Sequence, residues 1–194
     1  MNSNQKGGTM MEALMVLSII IVLSVSGMSL INSMFTMFKQ NMVSNELIEI
    51  QKNIAARYRV FGYYNDIPTD IEDWKKEKLL PSQMIVGDEI YHRFGGKVTI
   101  APKFKNEGDE FAPYFTVKFE EIPQKTCFVI GQINWTMSQS SDLIELKIND
   151  KDPFVLPTRA SGVEKGADNA LPVKVNVLMS ACQSGDNTMT WTFQ

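Results

Sequence analysis

The chain has 194 residues, 44% of them apolar and 21% charged, with a net charge of -3. That size and mix fit one domain with an appended segment, and the mildly acidic balance argues against a nucleic-acid partner. One histidine and two cysteines leave little for a metal centre.

The charges are unevenly placed. None falls within 13–38, and they recur regularly from Lys39 onward. The stretch 13–31 is almost entirely Leu, Ile, Val, Met, Ala and Ser. As a helix, roughly 20 such residues cross a ~30 Å hydrocarbon core. A cleaved secretory signal has a shorter apolar region, ~7–15 residues, followed by a small-residue cleavage site. Here "SGMSLINSMF" runs on into more apolar sequence. The stretch therefore reads as a retained anchor. Lys6 on the short leading side orients the body outside the cytoplasm.

The helix continues past the apolar run. Leu47, Ile50, Ile54, Tyr58 and Phe61 recur at three- and four-residue steps, with Glu46, Glu49, Lys52, Asn53 and Arg57 on the other faces. That pattern predicts an amphipathic helix that packs one stripe on a core. No strong breaker occurs over 13–60, and Gly62 ends the helix as a glycine just past the last turn does. "YYNDIPTD" is then a loop, and the carboxylates at Asp70, Glu72, Asp73, Asp88 and Glu89 read as solvated faces.

Alternation and turn residues predict strands at 97–102, 114–121, 143–150, 173–180 and 188–194. In the last strand Met189, Trp191 and Phe193 share one face, which is expected to pack on the long helix. "IPQKTCFVIGQIN" reads as a helix carrying Cys127, and 157–172 as a polar surface loop. An even cysteine count in an exported body suggests a disulfide. No nucleophile has a recognisable base nearby, and "FGG" is a turn rather than a phosphate loop, so no enzyme is expected. His92 reads as an ordinary side chain near a strand start.

One carboxylate, Glu12, stands at the front of the apolar run in "KGGTMMEALMVLSIII". In a first helical turn it is favoured by the helix dipole, by about 0.3–1 kcal/mol. A basic residue, a glycine, five residues ending in Glu and some 20 apolar residues together resemble the class III signal of type IV prepilins and pseudopilins. The body adds "LLPSQMIVGDEIYHRFGGKVTIAP" (79–102), which is similar to the turn from a second helix into the sheet in type IVb pilins. That subclass includes the toxin-coregulated, bundle-forming and conjugative thin pili.

The resemblance implies an α+β type IV pilin fold: a long N-terminal helix, its first half apolar and protruding, its second half on an antiparallel sheet. It implies that a prepilin peptidase removes a cytoplasmic leader, residues 1–7. Counting back from Glu12 puts the cut between Gly7 and Gly8, with Gly8 as the N-methylated first mature residue. A cut after Gly8 would instead leave Glu12 fourth. Residues 8–38 would form the transmembrane and later filament-core half of the helix, and 39–194 the soluble head.

Glu12 would pair with the N-terminal ammonium of a neighbouring copy. A Cys127–Cys182 disulfide would bound the D-region, 127–182. The implied role is the major subunit of a type IVb-like filament for adhesion, aggregation or conjugative contact. The alternatives are a minor pilin, a type II secretion pseudopilin or a non-polymerising anchored domain. The implied partners are copies of the chain itself, the peptidase, the inner-membrane assembly machinery and a host or recipient cell surface. No cofactor and no metal are implied. The precursor would sit in the inner membrane of a Gram-negative bacterium and the product in an extracellular pilus.

Overall fold

The computed structural model describes residues 10–133, 142–158 and 161–194, with 23–30 described by backbone. It comprises two compact units, 1–39 and 40–194. The leader and both glycines of the expected cleavage site lie outside the described residues.

In the first unit the chain is helical from Met10 onward, the start of α1 (Met10–Tyr58). Its apolar side chains are open to solvent: Leu14 is 62% exposed, Ile20 52% and Phe35 63%. Its hydroxyls turn inward on their own helix, Ser18 donating to the Met15 carbonyl (2.7 Å) and Thr36 to the Asn32 carbonyl (2.9 Å). Such bonds satisfy the polar atom without a partner from outside. Among the described residues, no helix is long and apolar enough to cross a membrane. The stretch expected to do so, 13–31, includes 23–30, whose side chains lie outside that description.

In the second unit α1 presents Val43, Leu47, Ile50, Ile54 and Tyr58 to one continuous core. All five are at most 6% exposed. They share that core with Phe115, Val117 and Phe119 of β4 (Tyr114–Pro123) and Met189, Trp191 and Phe193 of β7 (Asp186–Phe193). Period-2 burial on the strands and three- and four-residue spacing on the helix thus meet in one layer interface.

The main sheet is antiparallel and five-stranded, in the order β3 (Val98–Lys103), β4, β7, β5 (Leu143–Ile148), β6 (Phe154–Val155). A small hairpin of β1 (Ile85–Val86) and β2 (Glu89–Ile90) precedes it. Between α1 and that hairpin lies α2 (Ile71–Glu77), whose N-cap Asp70 accepts from the Glu72 N–H (2.8 Å).

Three expectations are corrected. The segment 173–180 alternates Val-Lys-Val-Asn-Val but forms α4 (Val175–Ala181). Leu178 and Ala181, three residues apart, are buried there, so the helical face wins over a short alternating run. Phe61 does not extend the buried stripe. The helix ends at Tyr58 and turns, leaving Phe61 55% exposed. Glu46, read as a solvent-facing charge, is 3% exposed. It lies three residues after Val43 and four before Ile50, hence on their face.

Candidate functional site

Among the described residues no group of three or more His, Cys, Asp or Glu could hold a metal ion. The candidate sites are the front of α1, the disulfide-bounded region, and the contacts that fix both ends of the segment joining α1 to the sheet.

Glu12 sits in the first turn of α1, exposed, with Met11, Leu14 and Met15 as apolar neighbours that are also exposed. On the described part of 10–38 it is the one charged residue. A helix start tolerates a carboxylate because its free N–H groups carry partial positive charge. Its apolar neighbours are a different matter. So large an exposed apolar surface marks an interaction surface rather than an ordinary protein exterior.

The second site is built by α3 (Gln124–Gly131) and α4. Cys127 on α3 and Cys182 at the end of α4 form a disulfide, with Cα atoms 5.9 Å apart and a sequence separation of 55. The two helices touch closely where Gly131 faces Leu178. A Cβ on Gly131 would lie 2.6 Å from the Leu178 Cδ1. Gln40 of α1 donates to the Thr126 hydroxyl (3.4 Å), and Thr126 is fully buried, so α3 is also tied to the long helix.

Two asparagines close the region. Asn187 Nδ2 donates to the Ile122 (3.2 Å), Gln183 (3.1 Å) and Gly185 (3.1 Å) carbonyls. Asn149 donates to Asn187 Oδ1 (2.8 Å) and to the Ala181 carbonyl (3.0 Å), and accepts from the Thr188 N–H (2.9 Å). The buried polar network is thereby satisfied, and it joins β4, β5, α4 and β7.

The third cluster sits at the start of the sheet. His92 is 3% exposed and stacks on Phe119, ring centroids 5.3 Å apart. Its Nδ1 accepts from the Phe94 N–H (3.1 Å), so Nε2 carries the proton and donates to the Glu120 carbonyl (2.6 Å). Burial pushes the imidazole below its ordinary value. Neutral and fully bonded, His92 is a structural latch.

Gly96 packs against that latch, where a side chain has no room. The receiving strand bends there: the β4–β7 register slips between Phe119 and Ile122, and Glu121 has φ 56°. This is a β-bulge at the sheet edge of the "GG" turn.

Next to it, Glu46 reaches from α1 to Arg93, with 3.2 Å between Oε1 and the guanidinium Nε. Its Oε2 accepts the Arg93 N–H (3.3 Å). Burial raises the Glu46 carboxyl, partly opposed by Arg93. The sequence signal for this contact was its place on the stripe face together with the one basic residue in "YHRFGG".

A family model described as PilS N terminal matches residues 38–194. Among solved structures, the type IV b pilin from Salmonella typhi matches with a TM-score of 0.50 and 18% identity, over 76% of this chain and 96% of that one. TcpA, a type IV pilin from the Vibrio cholerae El Tor biotype, matches with a TM-score of 0.49 and 13% identity, over 80% and 99%. No curated protein matches the chain.

Proposed function

This chain belongs to the PilS N-terminal family and has a type IV pilin fold, and on that premise we propose that it polymerises into a type IVb-like pilus filament. The observation that carries the reading is the front of α1. It pairs exposed apolar side chains, over the described residues 10–22 and 31–38, with a single carboxylate, Glu12. Neighbouring copies would cover that surface in a filament, as lipid would before assembly.

The proposed sequence of events begins with a precursor anchored through residues 8–38. A prepilin peptidase cuts the bond between Gly7 and Gly8 on the cytoplasmic side, releasing residues 1–7. Gly8 becomes the N-terminus and is methylated on its α-nitrogen, which still carries a positive charge. That ammonium and Glu12 of the adjoining copy then neutralise each other inside the apolar bundle. A buried carboxylate without a partner costs several kcal/mol, so wrong staggers are disfavoured and the axial register is set.

The head, 39–194, faces outward and carries the adhesive or cell-contact role of the filament. The disulfide-bounded region between Cys127 and Cys182 supplies part of its surface. Intact mass and N-terminal sequence of the chain from a wild-type host test the processing step. The expected product lacks residues 1–7 and carries a methyl group. An unchanged N-terminus that is the same with and without the peptidase would contradict it.

A further inference from the structure

The unit 40–194 carries two exposed apolar patches with charged rims. The first lies where α1 ends. Phe61 and Phe111 are 55% and 53% exposed, and Val60 more so. Tyr63 joins the two phenylalanines, its ring centroid 6.3 Å from that of Phe61 and 5.3 Å from that of Phe111. Asn65 fastens the two loops that carry these rings. Its Nδ2 donates to the Glu110 carbonyl (2.7 Å) and its Oδ1 accepts the Ala112 N–H (2.7 Å). The cluster is therefore held before any partner arrives, which lowers the ordering cost of binding. Its rim is acidic: Glu107, Asp109 and Glu110 stand exposed just before Phe111, with Lys105 as the one cation of that loop.

The second patch lies over the disulfide. Val129 of α3 and Val175 and Met179 of α4 are exposed, Met179 by 66%. A groove of about 240 Å³ is lined there by Gln124, Lys125, Phe128, Met179 and Cys182. It is braced by the Cys127–Cys182 bond and by Gln124 Nε2, which donates to the Cys182 carbonyl (3.1 Å). Small-molecule pockets hold about 300–1,000 Å³, so this groove suits one large side chain better than a free ligand. Lys125 is its one charged lining residue and makes no ion pair among the described residues. It stands in the first turn of α3, where the helix end is itself positive, so the cation does nothing for the helix.

The patches sit at opposite ends of the head. Gln40, bonded to Thr126 of α3, and Tyr58, the last residue of α1, lie about 27 Å apart along the helix. The sheet gives the same separation. Phe111 comes before the start of β4 at Tyr114 and α3 follows its end at Pro123, roughly 30 Å further on.

We propose that the two patches bind each other between copies of the chain. Phe111 of one head enters the groove beside Phe128 and Met179 of the next, and Glu110 meets Lys125 at the rim. An aromatic anchor in an apolar pocket supplies the affinity, and the charge pair fixes which surfaces meet. A two-fold dimer through the first patch alone would set one acidic rim against another. A contact between opposite ends is head-to-tail and propagates from copy to copy. The inference builds on the assembly reading and adds a link between heads that does not involve Glu12.

The test places the photocrosslinking residue p-benzoylphenylalanine at Phe111 of the full chain in its host cells. Ultraviolet light should join it to residues 124–129 or 175–182 of a second copy, located by mass spectrometry. Lys125→Glu should lower the yield by about fivefold, and adding Glu110→Lys should restore it. An acidic residue suits the first turn of α3, so Lys125→Glu should keep the wild-type urea midpoint. Cross-links only to other segments or to another protein would overturn the proposal, as would a yield indifferent to Lys125→Glu. Wild-type filaments without this cross-link would refute the contact and leave the assembly reading intact. The cross-link in membranes of cells that make no filaments would keep the contact and refute the assembly reading.

Discussion

Replacing Gly96 by alanine should unfold the start of the sheet more than any other single methyl added in that turn. The new Cβ would lie 1.9 Å from the Glu120 carbonyl oxygen, 2.5 Å from His92 Nε2 and 2.8 Å from the Glu120 carbonyl carbon. The nearest atom is backbone, about 1.5 Å short of an ordinary contact, so no rotamer change relieves it. Separation of the strands would strain the His92–Glu120 bond (2.6 Å) and the Glu120 N–H to Lys97 carbonyl bond (3.0 Å). Overpacking costs about 1–3 kcal/mol. Two weakened hydrogen bonds cost about 0.5–1.5 kcal/mol each. The expected loss is about 2–6 kcal/mol, or about 4–24 °C in melting temperature for a body of this size.

Gly95 provides the control. It has φ 91° and nothing within 4 Å of its Cβ position, so alanine there bears only backbone strain, about 1–2 kcal/mol. Thermal and urea unfolding of the two variants in oxidising buffer would measure both. Adding His92→Ala to Gly96→Ala should not restore stability, because the backbone clash remains. A Gly96→Ala chain as stable as wild type, or one rescued by His92→Ala, would refute the reasoning.

Other outcomes follow from the remaining contacts. Cys127→Ser should lower the stability of the oxidised chain by about 4 kcal/mol, the loop-entropy value for a closure of this length. An unchanged urea midpoint would contradict that. Glu46 is raised by burial above its ordinary 4.5, so the stability it contributes is fully present below about 4.5 and is lost as pH rises through the raised value. The stability of wild type relative to Glu46→Gln should therefore fall with pH over that window in a urea-midpoint series. His92 has the opposite sign: held below 6.5 when folded, it stabilises above about 6.5 and loses that contribution as pH falls through its lower folded value. His92→Gln should flatten that acid-side slope, and an unchanged slope would mean that the imidazole is not the group responsible.

Much of the head was legible because its two periodicities are unambiguous. Leu47, Ile50, Ile54 and Tyr58 mark a helix face, and Met189, Trp191 and Phe193 mark a strand face, and all enter the core as read. Gly95 and Gly96 could be read as a turn, although the reason for the second glycine, a backbone carbonyl at its Cβ position, depends on β4 far along the chain.

What misled was local pattern without tertiary context. In 173–180 a period of two over five residues matched a strand, yet the close contact of Leu178 with Gly131 and the Cys127–Cys182 bond hold a helix there. Glu46 was assigned to solvent on its charge alone, because its partner, Arg93, is 47 residues away. Phe61 continued the spacing of the stripe after the helix that gave the spacing meaning had ended. The cleft at the C-terminal end of α1 was not readable at all, since its walls come from Arg59, Gly62, Tyr64, Pro113, Asp142 and Gln194.

The central claim is that Glu12 directs assembly after the leader is removed. Electron microscopy of cells expressing wild-type or Glu12→Ala chain, with the filament subunit identified by mass, tests it most directly. The account predicts abundant wild-type filaments built from this chain without residues 1–7. It predicts membranes loaded with the Glu12→Ala chain but lacking normal filaments. Abundant, normal filaments from Glu12→Ala would contradict it.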